Sequence, residues 1–225
     1  PASLRMEAVQ AHEPEHRHAR ACQTLPVKPF RYYHASVWIR TRGWTGEDVR
    51  IAAIGGDGAS LNFHSPPPAA DQDWTRADVT FNTLDNTRVN LYLGTWAGRE
   101  GTIWWDALRL QPAGFVNVLR RPGTPLTIRD ADGATVYEEG RDFEPVRDQK
   151  MGNDPWAGDY SAWHTPPEVR IPAGSRLREG QQVLASYYHT AVIYNGQVPC
   201  CLSEPKVYEI LAWQAERVRD ALAPD

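Results

Sequence analysis

The chain has 225 residues, 23% of them charged, with a formal net charge of −4 and a pI near 6.0. This balance gives no broad attraction for phosphate backbones, so no nucleic-acid partner is expected. No apolar run approaches the roughly 20 residues that cross a bilayer, so no membrane span is expected either.

Apolar residues alternate with period two up to about residue 200, interrupted at short intervals by Gly, Pro, Asn and Asp. This pattern is typical of an antiparallel β-sandwich. It predicts a first series of six strands, near residues 3–9, 31–41, 48–54, 75–82, 88–95 and 102–110. The segment between the first two, with His12, His16 and His18, is expected to be a polar loop.

The segment QPAG at 111–114 ends that series and predicts a domain boundary near residue 113. We therefore expect a sandwich domain over 1–113 and a small β-domain over 114–203. The strands of the small domain are expected in FVNVLRR, PLTIRD, ATVYEEG, DFEPV, VRIP and QQVLASYYHT. The expected fold class is all-β, with two β-domains in series before a C-terminal helix.

Residues 204–225 contain the predicted helix, with Ser203 as its cap. Its apolar stripe consists of Val207, Ile210, Leu211, Val218 and Leu222. Such a stripe has to be buried against the small domain or against a domain outside this chain. The ending at APD favours the second alternative.

The composition includes nine Trp and nine Tyr beside five Phe. Trp and Tyr pair a flat apolar face with a hydrogen-bonding edge, which suits sugars, although sandwich cores also use these residues. Successive side chains of a strand point to opposite faces of its sheet. In the segments RYYHASVWIRT and RVNLYLGTW, one alternate set is aliphatic, and this set predicts the core face. The opposite parity predicts a carbohydrate-binding surface of Tyr32, His34, Trp38, Arg40, Arg88, Asn90, Tyr92 and Trp96.

Trp38 and Tyr92 are expected to share one accessible face of the sandwich. Aromatic rings on that face would stack on sugars, while Arg, Asn and His would bind hydroxyls or a uronate carboxylate. The alternative is that a partner domain covers the face, since such contacts also favour Trp, Tyr and Arg.

Four segments in order carry a family resemblance: SLRMEA, FRYYHASVWIRTRGW, WTRADVTFN and GTIWWDALRL. Over residues 3–110 the chain resembles the jelly-roll carbohydrate-binding modules of the group that includes families 4, 9, 16 and 22. The resemblance implies a two-sheet jelly-roll sandwich whose concave face or edge loops bind a polysaccharide or oligosaccharide. It also implies that Asp106, in the closing strand, helps to hold a structural Ca²⁺.

The second region is similar to small β-modules of bacterial surface and phage proteins. The order of sandwich, β-module and helix resembles the N-terminal half of large bacterial proteins that are like glycoside hydrolases. In those proteins a (β/α) barrel follows. This resemblance implies a secreted or periplasmic bacterial protein in which the sandwich is a non-catalytic accessory module. A catalytic domain would then follow Asp225.

Three other functions remain open. A β-sandwich polysaccharide lyase would need Tyr or His as a base near a uronate that Arg or Asn neutralises, and Tyr32, His34, Arg40, Arg88 and Asn90 have those residue types. Glycoside hydrolysis would need paired carboxylates, for which Glu138, Glu139, Asp142 and Glu144 are the candidates. The other possibility is a structural spacer without a ligand of its own.

Overall fold

The computed structural model describes residues 2–120, 122–151, 162–190 and 204–222. Its first half contains eight strands and one short helix. In chain order these are β1 (Leu4–Glu7), α1 (Val9–His12), β2 (Ala19–Pro26), β3 (Tyr32–Arg42), β4 (Glu47–Gly55), β5 (Ser60–His64), β6 (Gln72–Asn82), β7 (Arg88–Ala97) and β8 (Thr102–Pro112).

The eight strands form two antiparallel four-stranded sheets. Sheet A has the order β1-β8-β3-β6, and sheet B has the order β2-β7-β4-β5. The strand pairs are nested like those of one long hairpin: β1–β8, β2–β7, β3–β6 and β4–β5. The hairpin is rolled up, so alternate pairs fall in different sheets. This nesting is the jelly-roll topology, and the predicted fold class is confirmed.

The core lies between the two sheets. Alternation along β3 and β6 turns Val37, Ile39, Val79 and Phe81 inward from sheet A. Sheet B contributes inward aliphatic residues from β4 and β7, namely Val49, Ile51, Ala53, Val89, Leu91 and Leu93. At the edge where β5 approaches β6, the Asn62 Nδ2 donates to the Thr80 carbonyl at 2.6 Å. Burial of so many apolar side chains supplies the main stabilisation of the sandwich.

The described residues after Pro112 form a three-stranded antiparallel sheet and two helical segments. These elements are β9 (Thr127–Asp130), β10 (Val136–Tyr137), a 3₁₀ turn (Gln149–Met151), β11 (Val183–Ser186) and α2 (Pro205–Leu222), and the sheet order is β10-β9-β11. A separate buried cluster forms here from Ile128, Tyr137, Phe143, Val146 and Leu177. The division into domains at residue 113 remains a prediction.

Several predicted elements differ from those observed. The strands β2 and β5 were not predicted, because β2 turns few aliphatic residues inward and β5 turns the polar Asn62 inward. In the second half, FVNVLRR and DFEPV make single bridges, Val118 to His189 and Glu139 to Phe143, in place of strands. VRIP is not a strand.

The helix α2 matches the prediction, but within the described residues only Val207 of its stripe is buried, and Ile210, Leu211, Val218 and Leu222 are exposed. The predicted cap Ser203 lies outside the described residues. None of the helices in the described ranges is long and apolar enough to cross a membrane.

Candidate functional site

The eight residues predicted to bind carbohydrate divide between the two sheets. Tyr32, His34, Trp38 and Arg40 lie on β3 in sheet A, whereas Arg88, Asn90, Tyr92 and Trp96 lie on β7 in sheet B. All eight have the parity opposite to the core-facing aliphatic residues. Because the sheets enclose the core between them, their outward faces point in opposite directions. The expectation that Trp38 and Tyr92 share one face is therefore wrong.

One half of the outward face of sheet A is covered by later residues of the same chain. His34 is only 1% exposed, and its ring stacks on Trp163 with 3.6 Å between centroids and an interplanar angle of 3°. Tyr32 stacks on His189 at 3.9 Å. The Thr80 hydroxyl donates to the Ala162 carbonyl at 3.0 Å. In this arrangement His34 is buried, and His189 occupies one face of the Tyr32 ring.

The covered half also contains a hydrogen-bonded polar network. The His34 Nε2 lies 2.6 Å from the Asp78 Oδ1, and the Arg76 Nε donates to the same oxygen at 2.9 Å. The Tyr32 hydroxyl donates to the Thr80 hydroxyl at 3.0 Å, and burial raises the pKa of Tyr32. These groups satisfy one another in the contact between the two halves of the chain, so their role there is structural.

The other half of this face, which we call the Trp38 face, consists of Arg5, Trp38, Arg40, Trp104 and Asp106. Trp38 is 42% exposed, and the guanidinium groups of Arg40 and Arg5 lie over the Trp104 ring at 5.6 and 5.9 Å. Trp104 was not among the predicted residues, although its parity in the closing strand equals that of Asp106.

Asp106 lies opposite Trp38 in the register of β8 and β3, beyond the end of the pairing with β1. Its Oδ1 accepts a hydrogen bond from the Ala107 amide at 2.6 Å. Ca²⁺ takes six to eight oxygen ligands, several of them usually carboxylates. Among the residues that the structure describes, no group of three or more His, Cys, Asp or Glu side chains could hold a metal ion. Backbone carbonyls and water also serve as Ca²⁺ ligands, so the calcium site at Asp106 stays a prediction.

The outward face of sheet B carries a row of aromatic and guanidinium groups. The guanidinium groups of Arg20 and Arg50 lie over the Trp96 ring, at 5.4 and 5.1 Å from its centroid. Arg50 also lies 4.7 Å from the centroid of Phe63. The row crosses the sheet over Gly94, which pairs with Arg20 on one side and Arg50 on the other. Gly94 contributes no side chain at this point, and both guanidinium groups lie over the ring of Trp96, two residues along β7.

The neighbouring rows of the same face are polar. Tyr92 pairs across the sheet with Cys22, and a hydrogen bond with the Cys22 thiol raises the pKa of Tyr92. The Thr24 hydroxyl donates to the Asn90 Oδ1 at 2.6 Å, which leaves the amide nitrogen of Asn90 to donate elsewhere. We call this surface the Trp96 face and define it by Arg20, Cys22, Thr24, Asp48, Arg50, Arg88, Asn90, Tyr92 and Trp96.

The Trp96 face is open along β2. Arg20, Cys22, Thr24 and Arg88 are exposed, and Asn90, Tyr92 and Trp96 are half-buried. Arg20 was missed because β2 was not predicted. Arg50 lies on a predicted strand with the outward parity, so the same alternation rule could have identified it. Together these residues offer ring faces beside hydrogen-bond donors, which is the chemistry that a sugar requires.

The residues of the lyase alternative are not brought together. Tyr32, His34 and Arg40 lie on the outward side of sheet A, and Arg88 and Asn90 lie on the opposite side of the sandwich. A single uronate cannot meet both groups, because the core separates them.

Three of the four carboxylates considered for hydrolysis form ion pairs with arginines. Asp142 is 1% exposed and accepts from the Arg176 guanidinium at 2.5 and 2.9 Å. This pairing with Arg176 holds the pKa of Asp142 well below its usual range. Glu138 and Glu139 are ion-paired with Arg141 and Arg120. A general acid for glycoside cleavage needs a raised pKa, so Asp142 does not suit that role.

No protein-family model matches the chain, and no curated protein matches it. Solved structures with partial similarity include a CBM4 protein, with 14% identity over 41% of this chain and 60% of that chain, at a TM-score of 0.36. A family 16 carbohydrate-binding module has 14% identity over 48% of this chain and 75% of its own, at 0.33. An arabinose-bound GH51 α-L-arabinofuranosidase has 18% identity over 50% of this chain and 20% of its own, at 0.37.

Proposed function

We propose that the jelly-roll sandwich is a non-catalytic carbohydrate-binding module and that it binds polysaccharide on the Trp96 face. In this proposal the module belongs to a secreted bacterial carbohydrate-active protein, and a catalytic domain lies elsewhere in that protein. The observation that carries the proposal is the row formed by Arg20, Trp96 and Arg50, with Tyr92 and Asn90 in the adjoining rows.

Each residue has a role that follows from its chemistry. The rings of Trp96 and Tyr92 supply flat apolar area for the faces of pyranose rings. The Asn90 amide and the arginine guanidinium groups donate to hydroxyl oxygens, which fixes the orientation of the sugar. Because these side chains project from paired strands of one sheet, the face is largely formed before a ligand arrives, which reduces the entropic cost of binding.

We favour the Trp96 face over the Trp38 face because its open surface is continuous along the strands. The outward side of sheet A is interrupted where Trp163 and His189 cover His34 and Tyr32, so its open part is limited to one end of the strands. The Trp96 face extends along β2 and β7 from Trp96 to Arg88. A polymer needs an extended surface, which favours sheet B.

The test uses variants Trp96→Ala and Tyr92→Ala in affinity electrophoresis against a panel of plant and algal polysaccharides. Loss of a well-packed aromatic anchor costs about 2 kcal/mol, which is roughly a thirtyfold loss of affinity. Trp38→Ala is the matched control, since it removes an outward Trp from the opposite sheet, and we expect it to bind as the wild type does.

Thermal melts of the same variants separate binding from folding. If Trp38→Ala loses binding and Trp96→Ala does not, the ligand lies on sheet A. If the wild type is retained by no polysaccharide and none changes its Trp fluorescence, the sandwich is a spacer and the proposal fails.

A further inference from the structure

The charges on the Trp96 face differ in sign from those of the whole chain. The outward charged side chains of β2, β4 and β7 on this face are Arg20, Arg50, Arg88 and Asp48. Three guanidinium groups therefore stand against one carboxylate, in a chain whose formal net charge is −4. The positive excess is local to this face.

The single carboxylate is already engaged. Asp48 accepts two hydrogen bonds from Arg50, at 2.5 Å from Nε and 2.6 Å from Nη2. This bidentate pair neutralises Arg50 and fixes its plane beside the Trp96 ring. Arg50 therefore serves as part of the platform.

Arg20 and Arg88 have no acidic partner among the residues that the structure describes, and both are exposed. Arg20 pairs across the sheet with Gly94, and Arg88 lies six residues earlier on β7. At about 3.3 Å per residue the two backbone positions are roughly 20 Å apart, with Tyr92 between them. An extended polymer that follows β7 meets both guanidinium groups and the ring.

We propose that the Trp96 face selects anionic polysaccharides, and that Arg20 and Arg88 bind their carboxylate or sulfate groups. This inference rests on the proposed function of the same face. A guanidinium group offers two parallel donors that match a carboxylate or sulfate, and the resulting charge-assisted hydrogen bonds are stronger than those to a neutral hydroxyl. The neighbouring rings retain their role of stacking on the sugar.

The most direct test compares two ligands that share a backbone and differ in whether the carboxyl group is charged. Polygalacturonate and its methyl-esterified form have the same backbone, and esterification removes the carboxylate charge. We expect the wild-type protein to bind the free acid at least tenfold more tightly, and this preference to fall as salt is added, because salt screens exposed charges. A sulfated galactan beside its desulfated form provides the corresponding pair for sulfate.

Variants assign the preference to named residues. Arg20→Gln and Arg88→Gln are each expected to lower affinity for the acidic polymer about tenfold, since each loses hydrogen bonds to a charged group. Arg109→Gln is the matched control, because it removes an exposed arginine on the outward side of sheet A. Asp48→Asn is expected to act in the opposite direction and strengthen binding, because it removes the only carboxylate of the face. Asn tolerates the positive φ of 50° at this position.

The outcomes separate the two proposals. Equal binding of the acidic and neutral polymers overturns the charge inference and leaves carbohydrate binding on this face intact. Absence of binding to every polysaccharide overturns the proposed function itself. A preference for the acid that persists in both arginine variants but disappears in Arg109→Gln places the anion site on sheet A and overturns the inference. Equal binding of a single-stranded oligonucleotide also overturns it, because the face would then attract any polyanion.

Discussion

His189 is a half-buried histidine in the contact between the two halves of the chain, where it stacks on Tyr32. Burial lowers the pKa of His189 below its ordinary value of 6.5, against a smaller opposite effect of the Thr190 carbonyl. The unfolded chain therefore takes up a proton at a higher pH than the folded chain does. Stability that is present above pH 6.5 should be lost as the pH falls below that value.

The expected result is a melting temperature that falls as the pH drops below 6.5, with a smaller slope in His189→Gln. His64 contributes in the same direction, because burial also lowers its pKa, so the slope should not vanish. His12→Gln, at an exposed position, is the control. A slope in His189→Gln equal to that of the wild type would contradict the assignment.

At the residue scale, alternation in the sequence identified which side chains avoid the core. Trp38 and Tyr92 were both predicted to point outward, and both do so. The alternation could not reveal that Trp163 covers His34 and that His189 covers Tyr32, because the covering residues lie more than 100 positions away in the chain. Contacts of that kind are determined by tertiary packing, which local periodicity does not encode.

The pairing of β2 with β7 depends on a glycine in the middle of β7. A Cβ on Gly94 would lie 2.1 Å from the Ala19 carbonyl oxygen and 2.8 Å from the Arg20 Cα. Both are backbone atoms of β2 and cannot move aside without separating the strands. Gly94→Ala should therefore destabilise the sandwich by about 2–4 kcal/mol, as measured by urea unfolding.

Gly56→Ala is the matched control for this element. A Cβ there meets its nearest atom, the Arg88 carbonyl oxygen, at an ordinary contact distance of 3.4 Å. Its effect should stay within about 1 kcal/mol. If the two variants unfold at the same urea concentration, the close approach of β2 and β7 is not as described.

At the element scale, the strongly alternating strands were predictable, and the weak ones were not. β3 and β7 carry long aliphatic series that only a half-buried strand explains. β2 turns Ala19, Ala21 and Leu25 toward the core, which is too weak an apolar signal to distinguish it from a loop. Because β2 was not predicted, its outward residue Arg20 was not identified as part of the binding surface.

At the scale of the whole molecule, the nested pairing decides which residues can act together. β3 and β7 carry similar outward residues, but the jelly roll puts them in different sheets and thus on opposite sides. A single strand's sequence does not specify its sheet, so the predicted set of eight residues was divided by a property of the complete chain. The same division separates the residues of the lyase alternative.

Polysaccharide binding on the Trp96 face can be followed by NMR of the indole N–H groups, with signals assigned by single Trp→Phe substitutions. The protein is titrated with an oligosaccharide of a polysaccharide that it retains. We expect the Trp96 signal to shift, because that ring lies in the binding row, while the signals of Trp38 and the buried Trp105 stay in place. A shift of Trp38 or Trp104 with Trp96 unchanged would contradict binding on this face.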